Sequence, residues 1–175
     1  KGTHDILPEN TQRWQKLESI VNEVCSQFGY NEIRTPIFEE TRLFSRSVGE
    51  ETDIVSKEMY TWEDKDGTSL TLRPELTASV ARTYIQHNMA AKSPIQRLYY
   101  MGPLFRRERP QKGRQRQFHQ FGVEAFGSSN PEQDAEVIAI AWHILSRCNL
   151  SNNTKLNLNS IGSKECKNAY RNALK

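Results

Sequence analysis

Residues 97–127 read RLYYMGPLFRRERPQKGRQRQFHQFGVEAFG. Two alternating, strand-like runs flank a loop in which Arg106, Arg107, Arg109, Lys112, Arg114 and Arg116 are opposed only by Glu108. Like charges crowded onto a hairpin are costly unless something anionic offsets them. Strand side chains alternate, so the return run sets Phe118, Gln120, Gly122 and Glu124 on one face. Gln117, His119, Phe121, Val123 and Ala125 take the other, which becomes apolar toward its end and suits packing beneath a helix. The outgoing series Leu98, Tyr100, Gly102 and Leu104 ends at Arg106, which a hairpin returns to the polar face.

An aromatic plate, an amide, a gap and a carboxylate beside a guanidinium cluster suit a charged small molecule. Arg106 offers a fork matched to phosphate or carboxylate, and Arg114 and Arg116 can hold further phosphate charge. Phe118 can stack a nucleobase, worth about 1–3 kcal/mol. Gly122 leaves room for a ligand to approach the backbone. The residues alone equally fit a solvated arginine loop on an ordinary amphipathic strand. His119 shares its face with Phe121 and Val123 and reads as structural; Trp14, Trp62 and Trp142 read as packing residues.

Upstream, Pro8 followed by Trp14, Leu17, Val21, Val24, Cys25 and Phe28 predicts a helix that stops at Gly29. Ile33–Phe38 is strand-like, with Pro36 arguing against an uninterrupted central ladder. Thr41–Val48 predicts a short helix and Gly49–Asp53 a polar loop. The runs Met59–Glu63 and Ser69–Leu72 flank Asp66-Gly67, a hairpin signal. A helix is expected from Glu75 to about Met89, with Leu76, Val80, Tyr84 and Ile85 on one side, broken at Ser93-Pro94. Asn130-Pro-Glu-Gln133 combines an N-cap, a first-turn proline and a capping-box partner for a helix running to about Cys148. Leu156 and Leu158 alternate as a last strand, and Ser163 can cap a final helix. Hairpins joined by separate helices, without regular βαβ alternation, predict one α+β domain: an antiparallel sheet flanked by helices.

The chain has 175 residues, 36% of them hydrophobic, which suffices for a buried core. Lys and Arg number 24 against 21 Asp and Glu, so the excess charge of +3 is too small to mark a nucleic-acid binder by itself. No apolar run is long enough to span a bilayer, and no membrane partner is expected. Cys25, Cys148 and Cys166 are odd in number and widely spaced, which favours the reducing cytoplasm over a disulfide framework. His4, His87, His119 and His143 are scattered, so the protein alone is expected to build no metal site. A Walker loop and a dinucleotide fingerprint are both absent.

A second polar set, Ser69, Thr71, Arg73 and Glu75, lies on one face of a strand that runs into Pro74 and a helix. Glu75 and Thr77 at that junction can receive an ammonium group, or simply serve as helix-start groups.

Several segments, taken in order, resemble one family. Phe28-Gly-Tyr-Asn-Glu-Ile-Arg-Thr-Pro-Ile-Phe38 is similar to motif 1 of the class II aminoacyl-tRNA synthetases, and Phe105-Arg-Arg-Glu108 through Phe118–Glu124 to motif 2. Lys1-Gly-Thr-His-Asp-Ile-Leu-Pro8, Thr71-Leu-Arg-Pro-Glu-Leu-Thr77, Arg109-Pro-Gln-Lys-Gly-Arg114 and Leu158-Asn-Ser-Ile-Gly162 resemble the histidyl-tRNA synthetase family in particular. The resemblance implies a class II catalytic core that uses ATP, with substrate-associated Mg2+, to activate L-histidine before transfer to tRNA(His). It implies that Glu75, Thr77, Arg106 and Gln120 hold the amino acid and that Glu124 accepts from its imidazole. Arg106, Glu108, Arg114 and Phe118 would take the α-phosphate, adenine edge, outer phosphates and adenine face, with Arg106 catalytic. Arg107, Arg109 and Lys112 would face the tRNA acceptor end.

His4 and Leu76 stand where the family often has Arg and Gly. The family's later Arg-Gly-Leu-Asp-Tyr-Tyr and Gly-Gly-Arg-Tyr-Asp segments, motif 3 and the anticodon-binding domain do not occur in these residues. Residues 1–175 therefore read as the front part of a catalytic domain, inactive or weak alone and homodimeric in the intact protein. Two other readings share these residues: a synthetase-like regulatory subunit for the first enzyme of histidine biosynthesis, and a dimerisation module.

Overall fold

The computed structural model describes residues 1–48, 58–159 and 162–173, so the loop expected at Gly49–Asp53 lies outside the described residues. Pro8 opens the first helix, α1 (Pro8–Gln27), where its missing N–H removes no intrahelical bond. Val21, Val24 and Cys25 recur at helical spacing and are buried. The chain reverses at Gly29, whose φ of +74° favours glycine, and the Tyr30 N–H donates back to the Cys25 carbonyl at 2.9 Å.

The short strand β1 (Asn31–Glu32) then pairs in parallel with β5 (Gln96–Phe105), Glu32 opposite Tyr99. The strand-like run Ile33–Phe38 is interrupted, as Pro36 suggested, and forms no strand before Phe38. Its middle crosses between sheets, and the chain resumes as β2 (Phe38–Glu40) in a second one. Pro36 has no N–H for a ladder and disfavours the preceding residue's helical conformation, so the crossing falls there. After α2 (Thr41–Val48), β3 (Tyr60–Glu63) and β4 (Ser69–Leu72) form the expected hairpin, with Gly67 at φ +84° in its turn. The second sheet has the order β2-β4-β3, the first β1-β5-β6. The fold is α+β with antiparallel hairpins as expected, but with two sheets rather than one and a single parallel pairing among the described strands.

The hairpin of β5 and β6 (Gln117–Phe126) is paired from Gln96 opposite Phe126 to Phe105 opposite Gln117. It carries core on both faces. Tyr99 is buried with Val21, Val24, Cys25, Tyr30, Ile140 and Ile144, and Phe121 and Val123 pack against them. That layer lies beneath α1 and α4 (Pro131–Arg147), as the apolar face of the return strand predicted. On the opposite face Leu98, Tyr100 and Leu104 are buried with Leu76 and Val80, the latter from α3 (Thr77–Gln86).

Several expectations fail for identifiable reasons. The helix expected from Glu75 begins at Thr77 and ends before Asn88, which turns left-handed at φ 46°. Ile85 is 75% exposed, beyond the edge of the face that Leu76 and Val80 bury. Asn130 makes no side-chain cap, and Gln133 does not reach back to it. The Gln133 amide instead donates to the Tyr30 hydroxyl at 2.8 Å and to Glu136 at 2.6 Å, so tertiary bonds outcompete the local capping box. Leu156 and Leu158 form no strand and are 53% and 73% exposed; alternation chooses faces but does not supply a neighbour. Trp62 and Trp142 are exposed rather than buried, although Trp62 meets Phe38 edge to face. Ser163 does cap α5 (Lys164–Ala173), accepting from the Cys166 N–H at 3.3 Å.

Arg73 joins the two sheets. Its N–H donates to Ile37 and its carbonyl accepts from Phe105. Its buried guanidinium donates to the carbonyls of Pro103 at 2.9 Å, Thr35 at 2.8 Å and Pro36 at 3.2 Å. Pro103 is tolerated in β5 because its missing N–H faces this edge, where a side chain rather than a strand supplies the partner. A Cβ on Gly102 would stand 2.8 Å from Arg73 Nη2, so glycine is what admits the guanidinium. Arg73→Met leaves three carbonyls unpaired and is expected to destabilise the fold by about 2–4 kcal/mol in urea titrations, with Gly102→Ala shifting stability the same way. An unchanged midpoint for Arg73→Met would remove the guanidinium from this role.

Candidate active site

The register of the long hairpin assembles the polar face. Phe118 lies opposite Leu104, Gln120 opposite Gly102, Gly122 opposite Tyr100 and Glu124 opposite Leu98, so all eight share one side of the sheet. The gap expected at Gly122 is not open to a ligand. A Cβ there would fall on the ring and hydroxyl of Tyr100, and the glycine serves to admit that ring.

Tyr100 is the residue that the sequence reading left without a role. Its hydroxyl donates to Glu124 at 3.2 Å and lies 3.4 Å from the Thr77 hydroxyl. Burial pushes it up to about 12, so it remains a neutral donor. The available signal was a tyrosine directly opposite a glycine, two residues before a carboxylate on the same face.

Glu75 and Thr77 reach this face because β4 passes through Arg73-Pro74 straight into α3. Glu75 accepts from the Ala78 N–H at 2.9 and 3.2 Å, so the helix-start reading holds. Burial nevertheless raises it above the usual carboxylate range, and the Glu124 charge adds to the rise. The Glu75 and Glu124 carboxylates, linked through the Tyr100 and Thr77 hydroxyls, form a pocket end suited to cationic groups. Gln120 stands exposed between this end and the arginines.

At the other end the Arg106 Nε donates to the Pro74 carbonyl at 3.0 Å, which ties motif 2 to the junction carrying Glu75. Its guanidinium carbon lies 5.1 Å from the centre of the Phe118 ring, so the cation occupies one face of the proposed base platform. Glu108 lies 4.0 Å from Arg106 Nη1 and 3.3 Å from Arg114 Nη1. Arg116 is directed inward, donating to the Glu108 carbonyl at 3.1 Å.

Arg107, Arg109 and Lys112 are exposed and, among the described residues, form no ion pair. They project from the loop, whose tip turns between Gln111 and Arg114 with Gly113 at φ +81°. His119 packs against Trp14, ring centres 4.7 Å apart, in keeping with a structural role. A cavity of about 500 Å³ at the free edge of β5, lined by Asn22, Glu32, Thr35, Arg73 and Met101, touches the polar face only at Tyr100 and Gly102. Among the described residues, no group of three His, Cys, Asp or Glu side chains is placed to hold a metal ion.

A carboxylate-lined end, an aromatic platform and an arginine-rich loop on one antiparallel hairpin fit the catalytic-core architecture of the class II aminoacyl-tRNA synthetases. The chain belongs to the histidyl-tRNA synthetase family, whose family model matches residues 2–162. It is 57% identical over 175 residues to the histidine–tRNA ligase of Solibacter usitatus, covering all of this chain and 42% of that protein. It superposes on the apo histidyl-tRNA synthetase of S. aureus with a TM-score of 0.69 and 46% identity, over 84% of this chain and 33% of that one. An ATP phosphoribosyltransferase regulatory subunit/histidyl-tRNA synthetase from Bacillus halodurans C shares the fold at a TM-score of 0.72 and 31% identity, over 86% and 38% of the two chains. The chain thus spans about two fifths of the length of the curated relatives it matches.

The raised Glu75 gives a stability test. The folded state holds that proton more tightly than the unfolded chain does. Its contribution is full below the unfolded pKa and is lost as pH rises through the folded one. Glu75→Gln keeps an oxygen for the Ala78 N–H and is expected to raise the melting temperature near neutral pH by about 1–4 °C. It should also flatten the decline in stability above the ordinary carboxylate range. A lower melting temperature throughout would show that the charged cap outweighs burial.

Proposed function

We propose that this chain forms part of an ATP-dependent histidine–tRNA ligase. The observation that carries the reading is the continuity of one sheet face: Glu75, Thr77, Tyr100 and Glu124 at one end, Arg106 and Phe118 at the other. Histidine would place its ammonium at Glu75 and Thr77 and its imidazole at Glu124, leaving its carboxylate toward Gln120 and Arg106. ATP would set its base on the free side of Phe118 with its edge at Glu108, and its phosphates along Arg106 and Arg114.

The carboxylate oxygen then attacks the α-phosphorus, the bond to pyrophosphate breaks, and histidyl-adenylate forms. A terminal tRNA hydroxyl next attacks the acyl carbon, giving histidyl-tRNA and AMP. Arg106, already held by Pro74, stabilises charge on the α-phosphate, and Mg2+ enters with the nucleotide as part of the substrate. Arg107, Arg109 and Lys112 would receive the acceptor end of tRNA(His). The 175-residue chain is proposed to belong to the catalytic domain and to activate histidine only weakly by itself. A second copy is proposed to cover the open face of the β2-β4-β3 sheet, where Phe38 and Trp62 pack edge to face yet remain exposed. The cytoplasmic location proposed with it fits three unpaired cysteines.

Calorimetric titration of histidine tests the amino-acid end. Glu124→Ala removes the imidazole acceptor and is expected to weaken binding by about 10- to 100-fold with little change in ATP affinity. Equal histidine affinity in variant and parent would sink the assignment. The loop is tested by salt: Arg109→Gln with Lys112→Gln should reduce the slope of log K against log salt for tRNA by about 2. An unchanged slope would place the acceptor end elsewhere.

A further inference from the structure

The ladder of the long hairpin is interrupted at one definite place. Phe105 opposite Gln117 is its last regular pair, and Arg106 opposite Arg116 should come next. Half of that pair is made: the Arg106 N–H donates to the Arg116 carbonyl at 3.0 Å. The Arg116 N–H does not return to Arg106. It donates at 2.7 Å to the carbonyl of Gly2, which also accepts from the Gln117 N–H at 3.2 Å. Gly2 has φ +92°, and a Cβ there would stand 2.9 Å from both Arg116 Cγ and Pro110 Cγ. An L side chain is therefore excluded on two independent grounds, conformation and space.

We propose that residues 1–7 are a strap, and that Gly2 is a positioning residue which holds the basic loop open. By taking the N–H that would zip the hairpin, Gly2 splays the strands immediately after Arg106. The released Arg116 turns its guanidinium to the Glu108 carbonyl at 3.1 Å, and the Glu108 carboxylate receives Arg114 at 3.3 Å. The strap thus reaches, through Arg116 and Glu108, the groups proposed for the adenine edge and the outer phosphates. Its effect should fall on the nucleotide end and spare the carboxylate end, which is set by β4, α3 and Tyr100. The nucleotide role rests on the function proposed above; the clasp itself does not.

The test compares the parent with Gly2→Ala and with a chain starting at His4, which removes the acceptor without adding a Cβ. Amide exchange at Gln117, whose N–H points outward from the hairpin, should accelerate about five- to tenfold in both. The Kd for ATP should rise about tenfold while that for histidine stays within about twofold. Unchanged Gln117 exchange in both variants overturns the strap. Faster exchange with ATP and histidine weakened in equal ratio reduces Gly2 to a structural role and overturns the positioning claim. If the parent binds no ATP, the nucleotide reading fails. Tryptic cleavage after Arg107 and Lys112 then decides the strap: faster cutting in the variants supports it and equal cutting overturns it.

Discussion

Arg73 buries a full positive charge between the two sheets with no acid in contact among the described residues, and the arrangement around it follows from how that charge is satisfied. Burial lowers its pKa, and the Glu39 charge offsets part of that. A guanidinium so placed is tolerable because backbone carbonyls of Thr35, Pro36 and Pro103 surround it as fixed dipoles. Those three carbonyls belong to the crossing between sheets and to the C-terminal end of β5. One side chain therefore fixes where motif 1 leaves the first sheet and how β4 enters α3. That entry is what delivers Glu75 and Thr77 to the polar face.

A second network holds the opposite layer. Glu136 on α4 accepts from the Tyr30 hydroxyl, the Gln133 amide and Arg97, and these bonds keep its carboxyl below the usual range. Its partners come from the turn after α1, from α4 itself and from β5. The hairpin is thus anchored on both sides by polar contacts, Arg73 at one edge and Glu136 beneath the other layer. Between them lies apolar core, with Leu104 and Ile140 fully buried. Satisfied buried polar groups of this kind specify a register more sharply than apolar burial alone, because a shift leaves charges unpaired.

What the sequence made legible depended on whether a signal was local. Alternation in residues 97–126 determines which side chains share a face, so Phe118, Gln120, Glu124 and Arg106 were placed together correctly. Glycine and proline signals at Gly29, Asp66-Gly67 and Pro131 also act locally and were readable. The interruption at Pro36 was legible too; that the chain resumes in a second sheet was not, because the crossing is held by an arginine about forty positions downstream. Gly122 looked like space for a ligand because a glycine reports an absent side chain and not what fills the gap. Gln133 looked like a capping-box residue because its tertiary partner, Tyr30, is distant in sequence. The strap through Gly2 was invisible for the same reason.

The polarity of the candidate site follows from interactions that compete within it. At the acidic end, burial and the Glu124 charge raise the cost of ionising Glu75, and a cation placed there would relieve it. At the basic end, Arg106 rests on Phe118 and Arg114 rests on Glu108, each in a partly solvated contact that a polyphosphate could replace with stronger charge-assisted bonds. The internal partners occupy the positions proposed for the ligand's groups. A molecule that is cationic at one end and anionic at the other therefore has one favoured orientation along the face. For histidine and ATP together, that orientation brings the carboxylate and the α-phosphate to the middle, beside Gln120 and Arg106, where the proposed bond would form. In the proposed function, the order of charges along two paired strands would set the direction of the chemistry, before any contact specific to the imidazole or the base.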